Sequence, residues 1–178
     1  MINAIYILNA STLQEQDLDR IVHTVKTIFR VPVFVKQVGL DFGSAFDGSR
    51  GQWNSTVLLS QIITNSVGDD EKLVAIVDVD LFIPVLTFVF GEAQFKGTAA
   101  IVSTHRLANQ FYGLEEDKQQ LLQRLEKEIV HELGHTFGLY HCRQFECVMR
   151  SSTYVGEIDL KQVFPCQDCQ RLLLKNFS

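Results

Sequence analysis

The segment HELGHTFGLYHCRQFECVM, residues 131 to 149, gathers three histidines, two glutamates, two cysteines and a methionine in nineteen positions. On a helix, residues four apart lie on one face about a turn from each other, so His131 and His135 can aim two imidazoles at one metal ion. Glu132 follows the first histidine directly and is rotated off that face, toward the place of a metal-bound water, where a general base belongs. Gly138 comes three residues after His135. Glycine enters left-handed backbone without steric cost, so the helix can stop there and turn. The turn lets His141 return as a third ligand.

A chain of 178 residues suffices for one compact domain with a sizeable core and is too short for two. One domain over 1–178 is expected, with a sheet-and-helix part over 1–138 and a C-terminal part over 139–178. Sixteen basic and twenty-one acidic side chains give a net charge of −5, with no run of lysine or arginine. That argues against a nucleic acid partner. The opening MINAIYILNASTLQEQ has no basic start, too short an apolar run for a signal peptide and no small-residue cleavage site. No later apolar run approaches the roughly 20 residues a bilayer needs. A cytoplasmic monomer that does not cross a membrane is expected. The four cysteines fall late, as Cys142-x4-Cys147 and Cys166-x2-Cys169. In a reducing compartment such pairs bind metal more often than they form disulfides. A four-cysteine zinc site is therefore expected, with two disulfides as the alternative.

Residues 2 to 8, INAIYIL, read as a strand buried on both faces. After a cap at Ser11 or Thr12, the apolar steps Leu18, Ile21, Val22, Val25, Ile28 and Phe29 predict an amphipathic helix that ends before Val31-Pro32. A second strand is expected over 33–40 and a glycine-containing loop over 41–51. Asn54 or Ser55 can cap a helix that buries Val57, Leu58, Ile62 and Ile63 and ends near Gly68. KLVAIVDVDL, residues 72 to 81, predicts the central strand. Its Asp78 and Asp80 are read as loop-contacting acids rather than metal ligands. Pro84 suits the start of an edge strand over 85–90 that borders the cleft, and one more strand is expected over 97–104. A long helix follows over 114–137 and a short one within 166–177. The order predicts a mostly parallel α/β mixed sheet with one antiparallel edge and covering helices.

A bare H-E-x-x-H recurs by chance, but here it lies on a predicted helix and extends to H-E-x-x-H-x-x-G-x-x-H, which with a downstream methionine is the metzincin signature. Three neutral imidazoles leave one zinc position to water, whose pKa falls from about 15.7 to about 7. The expected reaction is peptide hydrolysis with Glu132 as the proton carrier, the substrate being a peptide or unfolded chain. The alternative is a catalytically silent zinc protein that binds peptides or a protein partner. His23 and His105 are read as structural.

HELGHTFGLYHC, four residues, CVM and then CQDC resemble the archaemetzincin pattern, set apart from other metzincins by the cysteine directly after the third histidine and its three companions. The resemblance implies a metzincin-like domain with a twisted five-stranded mixed sheet, a backing helix and an active-site helix. It also implies two zinc ions. His131, His135 and His141 would hold the catalytic one, with Glu132 as acid/base and Met149 forming the turn beneath. Cys142, Cys147, Cys166 and Cys169 would hold the structural one. Tyr154 stands at the wrong spacing from Met149 to serve as the tyrosine that some metzincins use.

Overall fold

The computed structural model describes residues 2–64, 68 and 70–175. The chain begins with β1 (Ala4–Ala10), α1 (Glu15–Phe29) and β2 (Val33–Gln37). A short α2 (Phe42–Ala45), β3 (Phe46–Asp47) and β4 (Gln52–Asn54) occupy the stretch read as a loop and lead into α3 (Ser55–Thr64). Next come β5 (Glu71–Val77), β6 (Leu81–Phe82), β7 (Gly91–Ala93) and β8 (Ala99–Ser103). A 3-10 turn at Asn109–Tyr112 precedes α4 (Lys118–Thr136), α5 (Val155–Asp159) and α6 (Gln167–Leu174). The main sheet runs β2-β1-β5-β8-β7, parallel except for β7 against β8. It is the five-stranded mixed sheet with one antiparallel edge that the sequence predicts.

β5 lies at the centre and is buried from Lys72 to Val77 because both faces are covered. On one face Ile5, Ile7, Val74, Ile76, Ala100 and Val102 pack with α1 and α4. On the other, Leu8, Leu73, Ala75, Val77 and Ile101 pack with α3. The caps differ in detail from the sequence reading. Gln14, not Ser11 or Thr12, caps α1 in a reciprocal box with Asp17, because Ser11 turns its hydroxyl to Asn9. Asn54 caps α3 by accepting from the Thr56 N–H at 3.0 Å. The expected helix end near Gly68 adjoins residues outside those described.

Two expectations need correction. The central strand stops at Val77, because Asp78 turns away to accept from Thr12 N–H and Thr104 Oγ1, both at 2.6 Å, and Leu81–Phe82 pairs with β4 in a small second sheet. Asp80 accepts two bonds from Arg106 and one from Gln52, so both acids contact loops, as read. The edge strand is Gly91–Ala93, and residues 85–90 are irregular. The side chains of Arg50 and Gln52 donate to the Leu86 and Thr87 carbonyls, supplying from side chains what a strand neighbour would have provided. Val85 is left 83% exposed.

Among the described residues no helix is long and apolar enough to cross a membrane. α4 starts at Asp117, which accepts from the Gln120 N–H, and is tied to its surroundings by polar bonds. Arg124, only 4% exposed, forks onto both oxygens of Asp159 at 2.8 Å and donates to Leu107 O and Asn109 Oδ1. Arg20 and Thr24 of α1 reach Glu126. Asp159 and Arg20 are each about a third exposed while Arg124 and Glu126 are buried, so losing Arg124 chiefly leaves the Leu107 carbonyl and Asn109 Oδ1 without their donor. Arg124→Met is expected to lower the unfolding free energy by about 1–3 kcal/mol in denaturant titration, with an unchanged m-value.

Candidate metal centres and active site

α4 carries His131 and His135 in its last turns and ends in a glycine-based cap. Gly138 has φ +86°, its N–H bonds His135 O at 2.9 Å, and the Leu139 N–H reaches back to Gly134 O at 2.9 Å. The chain thereby reverses and brings His141 to the two helical histidines. One ring nitrogen from each of the three lies within 4.8 Å of the others. Neither His23 nor His105 joins them; His105 packs edge-on against Phe111.

On the two helical histidines the second ring nitrogen is committed elsewhere. His131 Nδ1–H donates to Val148 O at 2.8 Å and His135 Nδ1–H to Leu139 O at 2.7 Å. This assignment leaves each Nε2 with a lone pair, and the two Nε2 atoms stand 3.1 Å apart. Two lone pairs at that distance repel unless a cation lies between them, and tetrahedral zinc with bonds of about 2.0–2.1 Å would separate nitrogens by about 3.4 Å. The donor set fits zinc. Burial is the main force lowering the pKa of all three histidines, most of all His131, so they are neutral imidazoles as a metal requires.

Glu132 is buried and lines the same cleft as His131 and His141. Burial, then Glu128 and Glu92, push its carboxyl well above the usual carboxylate range. Gly91 lies against it, since a Cβ there would stand 2.8 Å from Glu132 Cγ. The cleft, of about 320 Å³, is lined by Leu86 to Gly91, by Glu128 and the residues of the histidine site, and by Ser151 to Thr153. Thus 86–90 border the cleft as expected, although as loop rather than strand. Tyr154 is 58% exposed, precedes α5 and is not among the lining residues.

Met149 is fully buried beneath the histidines' helix: a Cβ at Gly134 would meet its Sδ at 2.4 Å. Sequence reasoning missed Gly134, whose signal was a glycine inside a strong helix, where it costs about 1 kcal/mol relative to alanine. It also missed Glu128, Lys161 and Ser152. Lys161 is 3% exposed, with its Nζ 3.7 Å from Glu128 Oε1. Burial raises the Glu128 carboxyl and Lys161 pulls it back, while burial lowers the Lys161 ammonium.

The cysteines form a second cluster. All four are free thiols with sulfurs within 4.8 Å of one another, Cys142 and Cys166 at 3.7 Å, Cys147 and Cys169 at 3.9 Å. A disulfide needs about 2.05 Å, whereas zinc with bonds of about 2.3 Å spaces tetrahedral sulfurs by about 3.8 Å. Cys166 N–H donates to Cys147 Sγ and Gln144 N–H to Cys142 Sγ, as suits charged sulfurs. Burial and the neighbouring Cys147 drive the Cys169 thiol far up, so this cluster needs a counter-charge to ionise. The clusters are coupled by backbone, because Cys142 N–H donates to Met149 O at 2.9 Å.

The family model "Peptidase family M54" matches residues 18–175. An archaemetzincin of Methanocaldococcus jannaschii is 40% identical over 129 residues, covering 72% of this chain and 70% of its own. The crystal structure of archaemetzincin from Methanopyrus kandleri superposes with a TM-score of 0.86 at 32% identity, over 99% of this chain and 96% of that one. A zinc-dependent peptidase from Methanocorpusculum labreanum gives a TM-score of 0.85 at 29% identity, over 95% and 99%. With the motif, the sheet and nearly the whole chain in agreement, this chain belongs to peptidase family M54, the archaemetzincin zinc metallopeptidases.

Proposed function

We propose that this chain hydrolyses peptide bonds at a zinc ion held by His131, His135 and His141 through the nitrogens that face one another, with Glu132 moving the proton. The observation that carries the reading is the pair of Nε2 atoms 3.1 Å apart, both kept in the unprotonated, metal-binding state by bonds from Nδ1 to main-chain carbonyls. Zinc there supplies Lewis acidity, which acidifies water and polarises a carbonyl. Glu132 takes a proton from the attacking water as the new C–O bond forms, and delivers it to the amine nitrogen as the C–N bond breaks. Burial gives that carboxylate a high proton affinity, which suits it to hold the proton between the two steps.

An extended peptide can lie between the 86–91 wall and Ser151–Thr153, beside the edge strand β7. The four cysteines hold a second, structural zinc ion that staples α6 to the segment after His141. Met149 supports the histidines from below. The reading also takes the chain to be a monomer in a reducing compartment such as the cytoplasm, a choice supported by its four thiols.

A peptide library incubated with the zinc-loaded protein and with Glu132→Ala at equal zinc content tests the peptidase. Cleavage by the native chain should fall by about 10² to 10⁴ in the variant. Absence of cleavage by both would favour a silent peptide-binding protein instead. Elemental analysis should give about two zinc ions per chain, and Cys166→Ser should retain about one, with a lowered melting temperature. Gly134→Ala should cost about 1–3 kcal/mol of stability, since the added methyl meets buried Met149. Its zinc affinity should also fall in competition with a chromogenic chelator.

A further inference from the structure

Residues 83–90 reach the cleft as irregular chain, yet hydrogen bonds fix their path from within and from outside. The Leu86 N–H bonds Ile83 O at 3.0 Å, closing a four-residue turn with Pro84 in its second position, where a fixed φ belongs. The Val89 N–H bonds Leu81 O at 2.9 Å and ties the two ends of the loop together. From outside, Arg50 Nη2 donates to Leu86 O at 2.8 Å and to Thr87 O at 3.2 Å, while Gln52 Nε2 donates to Thr87 O and to Asp80. Arg106 forks onto Asp80 and lies 4.2 Å over the ring of Phe88.

This braced loop presents apolar surface to the catalytic cleft. Leu86, Phe88, Val89 and Phe90 line it together with His131, Glu132 and His141. Phe90 is buried and Phe88 meets it edge-on with ring centroids 5.2 Å apart, so both serve the loop's own packing. Leu86 is the most open of the four, 52% exposed. A lone exposed leucine needs no explanation. A leucine on a fixed loop in the lining of a catalytic cleft is a contact prepared in advance, since a substrate side chain that covers it gains burial without having to order the loop. The Leu86 carbonyl takes its bond from Arg50, whose guanidinium is itself seated 4.1 Å over the Phe82 ring and bonded to Gln52 Oε1.

The occupant follows from that chemistry. The Leu86 side chain has no polar atom to offer, so a polar side chain laid on it would lose water without gaining a partner, whereas an aliphatic one loses nothing. Gly91, five positions past Leu86, lies against Glu132, and extended chain covers about 3.3 Å per residue. Leu86 therefore meets a substrate within about five residues of the scissile bond. Resting on the peptidase reading, we infer that Leu86 is a specificity contact for an aliphatic substrate side chain near the scissile bond, and that Arg50 is the positioning residue that sets it.

The test uses peptide pairs differing only in Leu or the near-isosteric Asn, placed in turn at each position within about five residues of the cleaved bond. The zinc-loaded native chain should show kcat/KM about tenfold higher for Leu at one position, carried by KM with kcat within about twofold, because the contact lies away from the reacting atoms. Leu86→Ala and Arg50→Met, both at exposed positions, should bring that ratio within about twofold. Arg50→Lys keeps the charge without the planar fork and should fall between. Val85→Ala, at a still more exposed position outside the cleft lining, should leave the ratio unchanged. A ratio that survives Leu86→Ala or Arg50→Met overturns the inference, as does a loss confined to kcat. The same peptides are titrated calorimetrically into zinc-loaded Glu132→Ala protein, with and without Leu86→Ala. Cleavage without a Leu preference overturns the contact and leaves the peptidase standing. Preferential binding of Leu peptides that Leu86→Ala abolishes, without any cleavage by the native chain, upholds the contact and overturns the peptidase. Neither binding nor cleavage overturns both.

Discussion

The hydrogen bonds from His131 Nδ1 to Val148 O and from His135 Nδ1 to Leu139 O are the constraint on which the rest depends. Each fixes a tautomer and a ring plane at once, and each takes its acceptor from the chain that follows the helix. The helix end must therefore reverse within a few residues and stay reversed. Gly138 supplies the left-handed step, and Met149 packed on Gly134 holds the returning chain against the helix. The cysteine cluster then continues from the same segment, since the bond from Cys142 to Met149 O joins the two centres.

A site of facing lone pairs and buried carboxylates is internally repulsive, and the fold meets that cost with charged groups placed along the helix that bears it. Arg124 ties the middle of α4 to α5 and the 3-10 turn, and Arg20 ties it to α1. Lys72, buried in the central strand, donates to Thr136 O where α4 ends, satisfying a carbonyl at the negative end of the helix. Lys161 balances Glu128 beside the histidines. These cations come from widely separated parts of the chain, so the helix is held at its middle and end before any ligand is considered.

The parts of the fold that local periodicity encodes were readable. α1, α3, α4 and the strands β1, β5 and β8 all match apolar patterns that follow the helix or strand period. The parts decided by side chains distant in sequence were not. Residues 85–90 have the composition of a strand, yet Arg50 and Gln52, some thirty-five positions earlier, occupy their carbonyls and leave them as loop. The strand read over 72–81 breaks after Val77 because Asp78 finds partners at Thr12 and Thr104, which no window around residue 78 contains.

The same division runs through the site. The spacing of His131, Glu132, His135, Gly138 and His141 and the two cysteine pairs were set out in the sequence, because a helix followed by a glycine turn converts those intervals directly into proximity. Tertiary structure alone decided which carbonyls orient the imidazoles, that Gly134 must be bare so that Met149 can approach, that Glu128 and Ser152 both line the cleft, and that Lys161 is buried beside Glu128. Those relations join helix α4 to residues four to thirty-three positions away, across turns whose paths depend on packing rather than on the spacing between them.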